Sequence, residues 1–155
     1  MNEPFKKPYL DSCTFISFLL KENITGVPRG HIIKQLLTLA EQNHFHIYTS
    51  VLSITETCKS HQLWTPPGDV RQTMRFFEQP FIRLIAADRD IAELAAEYSL
   101  SHKLKPMDAL HLASAVFVRC DIFLTWDDHF KALHHPPIVI RTPEFIGTIP
   151  IELDE

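Results

Sequence analysis

Four acidic side chains stand where apolar strands end or helices begin or run on. They are Asp11 in Tyr9-Leu10-Asp11-Ser12, Glu56 in Ser53-Ile54-Thr55-Glu56, Asp108 in Lys105-Pro106-Met107-Asp108-Ala109-Leu110-His111, and Asp127 in Phe123-Leu124-Thr125-Trp126-Asp127. The ends of strands in an open α/β sheet are where ligand crevices form. Carboxylates gathered there repel one another, and they make sense chiefly as a cage for a hard divalent cation. The chemistry this suggests is metal-assisted reaction at phosphates.

Each acid also has a plainer use. Asp11 follows a strand and opens an apolar helix, a position suited to an N-cap. Asp108 lies in a first helical turn, where the helix dipole favours negative charge. Its helix is otherwise apolar, and Asp108, His111 and Ser114 recur at a spacing of three as one polar stripe. A carboxylate facing a crowded core is costly unless it is paired or metal-bound. Glu56 among Ile54, Thr55 and Cys58 has its orientation open. Of Asp127 and Asp128, one can cap the following helix while the other faces the crevice, with the Thr125 hydroxyl beside them.

Other reactive residues form weaker patterns. His44-x-His46 and His134-His135 lack a third ligand at suitable spacing and read as surface or strand histidines. Cys13 beside Asp11 has no assignable activating base and reads as a buried thiol. His111 either orients the site or hydrogen-bonds within the core. Cys13, Cys58 and Cys120 lie far apart without a CxxC, against a zinc knuckle or disulfide framework and in keeping with a reducing cytoplasm. Neither GxGxxG nor GxxxxGK occurs, which argues against nucleotide binding of those types.

The elements that must position the acids follow from periodicity. Strands are expected at 8–10, 45–48, 81–86, 122–124 and 138–140. Helices are expected at 13–20, from His31 to Asn43, from Ser50 as N-cap with Val51, Ile54 and Cys58 on one face, and at 69–78. Further helices run from Asp88 as N-cap, from Pro106 through Val118, and near 128–133. Gly and Pro mark loops at 25–30 and 64–68. Met74, Phe76 and Phe77 form an apolar face that serves as core or dimer contact. Ile122-Phe123-Leu124 is a continuous apolar strand of the kind buried on both faces of a parallel sheet. Strands alternating with helices specify α/β with a mainly parallel sheet.

A length of 155 residues, 45% of them apolar, suits one domain with a real core. The expected division is a single domain over 1–150 and an acidic tail over 151–155. The apolar runs are too short to span a bilayer, and the stretch Met1–Pro8 does not have the form of a signal peptide. The net charge of −4 is unusual for a nucleic-acid protein, but two bound divalent cations would bring it to about neutral. Arg71, Arg75, Lys103, Lys105, Arg119, Lys131 and Arg141 remain as either solvated charges or a local basic surface.

In order, these motifs resemble the PIN domain family, a compact nuclease fold that includes the VapC-type toxins of bacterial toxin–antitoxin pairs. The resemblance runs from Tyr9 to about Phe130. It rests on Tyr9-Leu10-Asp11-Ser12, on Pro106-Met107-Asp108-Ala109-Leu110-His111-Leu112-Ala113, and on Leu124-Thr125-Trp126-Asp127-Asp128-His129-Phe130. It implies a three-layer α/β/α sandwich, Mg²⁺ or Mn²⁺ held by Asp11, Glu56, Asp108 and Asp127, and endonucleolytic hydrolysis of RNA. Ser12 and Thr125 match positions that often support the site. Cys13 and Trp126 depart from the usual pattern, which bears on substrate contacts. VapC-type relatives imply a homodimer and a small antitoxin inserted into the groove. A non-catalytic PIN-like module binding protein or RNA is the main competing reading, and the four acids count against it. A receiver or phosphatase domain would need a second acid near Asp11 or a late strand-end lysine, and neither is found.

Overall fold

The computed structural model describes residues 5–60 and 68–144. The element order is β1 (Pro8–Leu10), α1 (Ser12–Leu19), α2 (Arg29–Glu41), β2 (Ile47–Ser50), α3 (Leu52–Lys59) and α4 (Gly68–Phe76). It continues with β3 (Ile82–Ile85), α5 (Arg89–Ser101), α6 (Pro106–Phe117), β4 (Ile122–Leu124), α7 (Asp128–Lys131) and β5 (Ile140–Arg141). Among the described residues the five strands form one sheet in the order β3-β2-β1-β4-β5. Every strand pairing in it is parallel.

The two-residue period of a strand sends alternate side chains to opposite faces. Tyr9, Phe123 and Ile85 pack on one side with Ile91, Ala95, Leu112 and Ala113 of α5 and α6. Leu10, Ile122, Leu124 and Ile82 pack on the other with Phe15, Ile33, Leu36 and Phe77. Two cores divided by one sheet make the α/β/α sandwich, and they explain why β1 and β4 are buried along their whole length. No helix among the described residues is long and apolar enough to cross a membrane.

Several boundaries differ from the sequence reading. The second strand is Ile47–Ser50 rather than 45–48, because its register is set by β3, from Ile47 opposite Ile82 to Ser50 opposite Ile85. Ser50 thus stays in the strand. Val51 takes the N-cap position with no side-chain cap, although the Ser50 hydroxyl accepts the Leu52 N–H at 3.2 Å. The fully buried positions of α3 are Ser53 and Thr57, while Val51, Ile54 and Cys58 are half-buried. Hydroxyls suit that position because Ser53 and Thr49 bond each other at 2.6 Å and Thr49 donates to the Leu10 carbonyl at 2.8 Å.

The last strand begins at Ile140 because pairing with Phe123 starts there, while Ile138 fills the core. Helix α2 begins at Arg29, so Gly30 lies within it. Asp88 caps α5 by accepting the Ile91 N–H at 3.0 Å, and Pro106 opens α6, both as expected. Phe77 is core and Phe76 packs against it, while Met74 is exposed. Of the loop expected at 64–68, Gly68 instead opens α4, and the rest, like the acidic tail at 151–155, lies outside the described residues.

The chain proceeds from β1 outward through β2 to β3, then returns to place β4 on the opposite side of β1. The order therefore reverses between β1 and β4, the place where an open α/β sheet leaves its ligand crevice. Asp11 comes directly after β1, and Thr125, Trp126 and Asp127 directly after β4. The local joint is tight: the Asp11 N–H donates to the Leu124 carbonyl at 3.2 Å.

Candidate metal centre

Asp11 sits at the floor of the crevice, 4% exposed, as the N-cap of α1. Its Oδ1 accepts the Ser12 N–H at 2.8 Å and its Oδ2 accepts the Thr125 hydroxyl at 2.8 Å. Thr125 also accepts the Asp127 N–H at 3.0 Å, so one hydroxyl joins both acids. Burial pushes the Asp11 carboxyl above its ordinary range, against the pull of His111, Thr125 and Ser12. The helix-cap reading of Asp11 is met.

Glu56 enters from α3. Its Oε2 accepts the Ser12 hydroxyl at 3.0 Å, and its Oε1 lies 2.5 Å from His111 Nε2. Burial opposes ionisation of Glu56, but the bonds and charge from His111 and the Ser12 bond outweigh it and hold the carboxyl below the ordinary range. His111 is buried on α6, with Nδ1 2.6 Å from the Tyr9 hydroxyl and Nε2 3.8 Å from Asp11 Oδ1. Burial acts to lower the His111 pKa; the Glu56 bond and the Asp11 charge more than reverse this. The core role read from the sequence for His111 is met, and its ring also contacts Glu56.

Asp108, in the first turn of α6, faces Asp127 and His129 across the crevice. One donor atom from each of these three lies within 4.8 Å of the others. Asp127 caps α7 through the His129 N–H at 2.9 Å, and the His129 ring nitrogen Nδ1 is 3.0 Å from the same carboxylate oxygen. For Asp108 the described residues offer only the His129 ring at 3.7 Å. Burial, then Asp127, then Asp11 push its carboxyl upward. An anion so placed, short of donors and facing like charges, suits a cation.

The donor set agrees. Carboxylate oxygens dominate, as a hard ion such as Mg²⁺ or Mn²⁺ prefers, and the His129 imidazole is a ligand type that first-row transition ions accept. The Cys13 thiol is pushed up to about 12, by burial first and the Asp11 charge second, which keeps it protonated in the metal-free protein and agrees with the reading of a buried thiol.

The remaining residues fall into place by geometry. Ser12 and Thr125 brace Asp11 and Glu56. Asp128 turns to solvent and pairs with Lys131 at 3.0 Å, away from the crevice. Trp126 is 6% exposed and points into the core on the α2 side. There its indole N–H donates to Glu144 at 2.7 Å and the Arg29 guanidinium lies 4.8 Å over the ring. His44, His134 and His135 are exposed, and His46 lies 3.3 Å from the Arg83 guanidinium.

Two contributors escaped the sequence reading. His129 stands two residues past Asp127, where the first turn of a capped helix returns a side chain to the cap. Tyr9 was legible only as an apolar strand residue, although alternation from Leu10 puts it on the α6 side.

The family model of the PIN domain matches residues 9–135, which span β1 through α7 and all the acids described above. The chain belongs to the PIN domain family. No curated protein matches it.

Three solved structures share this PIN fold. A toxin–antitoxin complex from Klebsiella pneumoniae is 21% identical with a TM-score of 0.62, over 88% of this chain and 97% of that one. VapBC2 from Rickettsia felis, bound to a DNA fragment from its promoter, is 12% identical with a TM-score of 0.63, over 88% and 98%. VapC20 from Mycobacterium tuberculosis, a toxin that cleaves the sarcin–ricin loop, is 15% identical with a TM-score of 0.61, over 82% and 96%. At these identities the likeness is one of fold.

Proposed function

We propose that this PIN domain is a metal-dependent endoribonuclease and the toxin of a type II toxin–antitoxin pair. The observation that carries the reading is the Asp108 carboxylate, which among the described residues has only the His129 ring near it and is held beside Asp127 and near Asp11 at the switch point between β1 and β4. Asp11, Glu56, Asp108 and Asp127 would hold Mg²⁺ or Mn²⁺. When bound, such an ion offsets charge on the phosphodiester and lowers the pKa of water toward neutrality, which enables hydrolysis.

The protein's part is to keep the donors in place. Ser12 and Thr125 fix the Asp11 carboxylate at both oxygens, and Ser12 and His111 do the same for Glu56. Asp127 is oriented by capping α7, leaving Asp108 as the acid most dependent on a cation for compensation. Similarity to toxin–antitoxin structures supports a small antitoxin as partner, and the VapC-type resemblance supports a homodimer.

The test is cleavage of an RNA panel by the purified protein with Mn²⁺, with and without EDTA. Cleavage that EDTA stops and Asp108→Asn abolishes is the expected result. RNA that is bound but never cut across the panel would transfer the reading to a non-catalytic interaction module. Co-expression with any small open reading frame that overlaps or immediately precedes this gene tests the partner, with loss of cleavage in the co-purified complex as the expected outcome.

A further inference from the structure

We propose that Tyr9 and His111 form an internal brace whose function is to aim the Glu56 carboxylate, with His111 as a positioning residue and Tyr9 as its anchor. The inference rests on the reading of Glu56 as a site acid. Glu56 is the one site acid carried on the middle of a helix, and it reaches the crevice with its side chain 31% exposed. A Glu side chain has three rotatable bonds and cannot hold one carboxylate orientation unaided. Here both of its oxygens are taken, one by the Ser12 hydroxyl at 3.0 Å and one by His111 Nε2 at 2.5 Å.

The hydrogen-bond donors and acceptors behind Glu56 form a chain with a direction. The Ser50 N–H donates to the Tyr9 oxygen at 3.1 Å. A phenol has a single proton, and with the amide already donating to its oxygen, that proton is free to point at His111 Nδ1, 2.6 Å away. Nδ1 then accepts, and the ring proton sits on Nε2, aimed at Glu56. That direction belongs to the neutral ring; an imidazolium would also present an Nε2–H to Glu56, with Nδ1 then donating to the Tyr9 oxygen. The arrangement excluded is a bare Nε2, which would set a lone pair against a carboxylate.

Burial makes the brace rigid. Tyr9 is 0% exposed and His111 is 1% exposed. The Tyr9 ring stacks on Phe123 with centroids 4.9 Å apart, and it meets the His111 ring edge-on at 5.9 Å. The chain thus runs from the end of β2, through β1 and α6, to α3. Outer-shell partners of ligating groups typically contribute 10–100-fold to metal affinity or activity, and these residues stand in that relation to Glu56.

The experiment combines a metal-free spectroscopic measurement with kinetics. Nitrogen-15 shifts of the His111 ring in the metal-free protein are expected to show a proton on Nε2. Tyr9→Phe keeps the ring packing and removes the hydroxyl, His111→Leu removes the whole polar link, and His111→Gln restores an N–H near the Nε2 position. His111→Leu is expected to lower kcat for RNA about 10–100-fold with KM unchanged, and His111→Gln is expected to recover most of that loss. Tyr9→Phe should lower kcat in the wild-type background and add nothing on top of His111→Leu, as residues acting through one link do.

A bare Nε2, or wild-type kcat in both Tyr9→Phe and His111→Leu, overturns the proposal. If His111→Leu does not fold, Tyr9→Phe and the ring shifts still decide it. If wild type cuts no RNA, the nuclease reading is what fails, and the ring shifts judge the brace separately.

Discussion

Among the described residues, Asp108 is the candidate site acid with the least local compensation, and in the proposed reading its charge is where function and stability oppose each other. Burial, Asp127 and Asp11 all raise its pKa, so the ionised form costs the fold stability at neutral pH. Asp108→Asn keeps the shape and removes the charge. Without metal it is expected to melt at an equal or higher temperature than wild type at pH 7, while losing most of the stabilisation by Mn²⁺ and all RNA cleavage. The sign with pH follows from linkage. A carboxyl whose folded pKa lies above its unfolded value binds its proton more tightly in the folded state. The cost is therefore complete above the folded pKa and absent below the unfolded one. The gap between mutant and wild-type melting temperatures should shrink as the pH falls through that interval. A mutant less stable by about 0.3–1 kcal/mol that cuts RNA normally would show that Asp108 serves only the dipole of α6.

At the scale of elements, α1 and α2 meet more closely than their side chains suggest. A Cβ added at Gly30 would lie 2.9 Å from Lys21 Cα and 3.0 Å from the Ser17 carbonyl oxygen, both backbone atoms that cannot swing aside. Gly30→Ala should destabilise the protein by about 1–3 kcal/mol, as overpacking does, even though Ala is the better helix former. Urea unfolding measures this, and an unchanged midpoint would mean that α2 can shift without cost. Because α1 carries Asp11 at its N-terminus and Ser12 in its first turn, a displaced α1 should also weaken RNA cleavage. The position of α1, which Asp11 caps, is thus also set by its packing against α2.

At the scale of the whole molecule, a net charge of −4 has to be reconciled with a polyanionic substrate. Carboxylates lining the crevice repel phosphates until a cation compensates them. The protein is therefore expected to retain RNA in gel shifts when a divalent ion is present and to release it in EDTA, with retention falling as salt rises. Mn²⁺ should also raise the melting temperature in a concentration-dependent way, since an ion that binds only the folded state stabilises it by mass action. Asp11→Asn should reduce that rise. Equal Mn²⁺ shifts in the two proteins would remove Asp11 from the set of ligands.

Much of this was legible in the amino-acid order because it depends on local chemistry. Pro8–Leu10 and Ile122–Leu124 announce buried strands, Asp88 and Pro106 announce helix starts, and acids that follow strands announce a crevice. The PIN motifs can be read for the same reason: each is short, and each sits at one strand end or helix start. What only the tertiary structure decided is which groups meet across elements. Register against β3 moved the second strand to Ile47–Ser50, and the buried hydroxyls of Thr49 and Ser53 set the face of α3. The link from Ser50 through Tyr9 and His111 to Glu56 joins residues from β2, β1, α6 and α3, with Tyr9 and His111 at a sequence separation of 102. Periodicity places a side chain on a face, but hydrogen-bond partners depend on how two faces are brought together. That is a property of packing, and no stretch of this chain contains it.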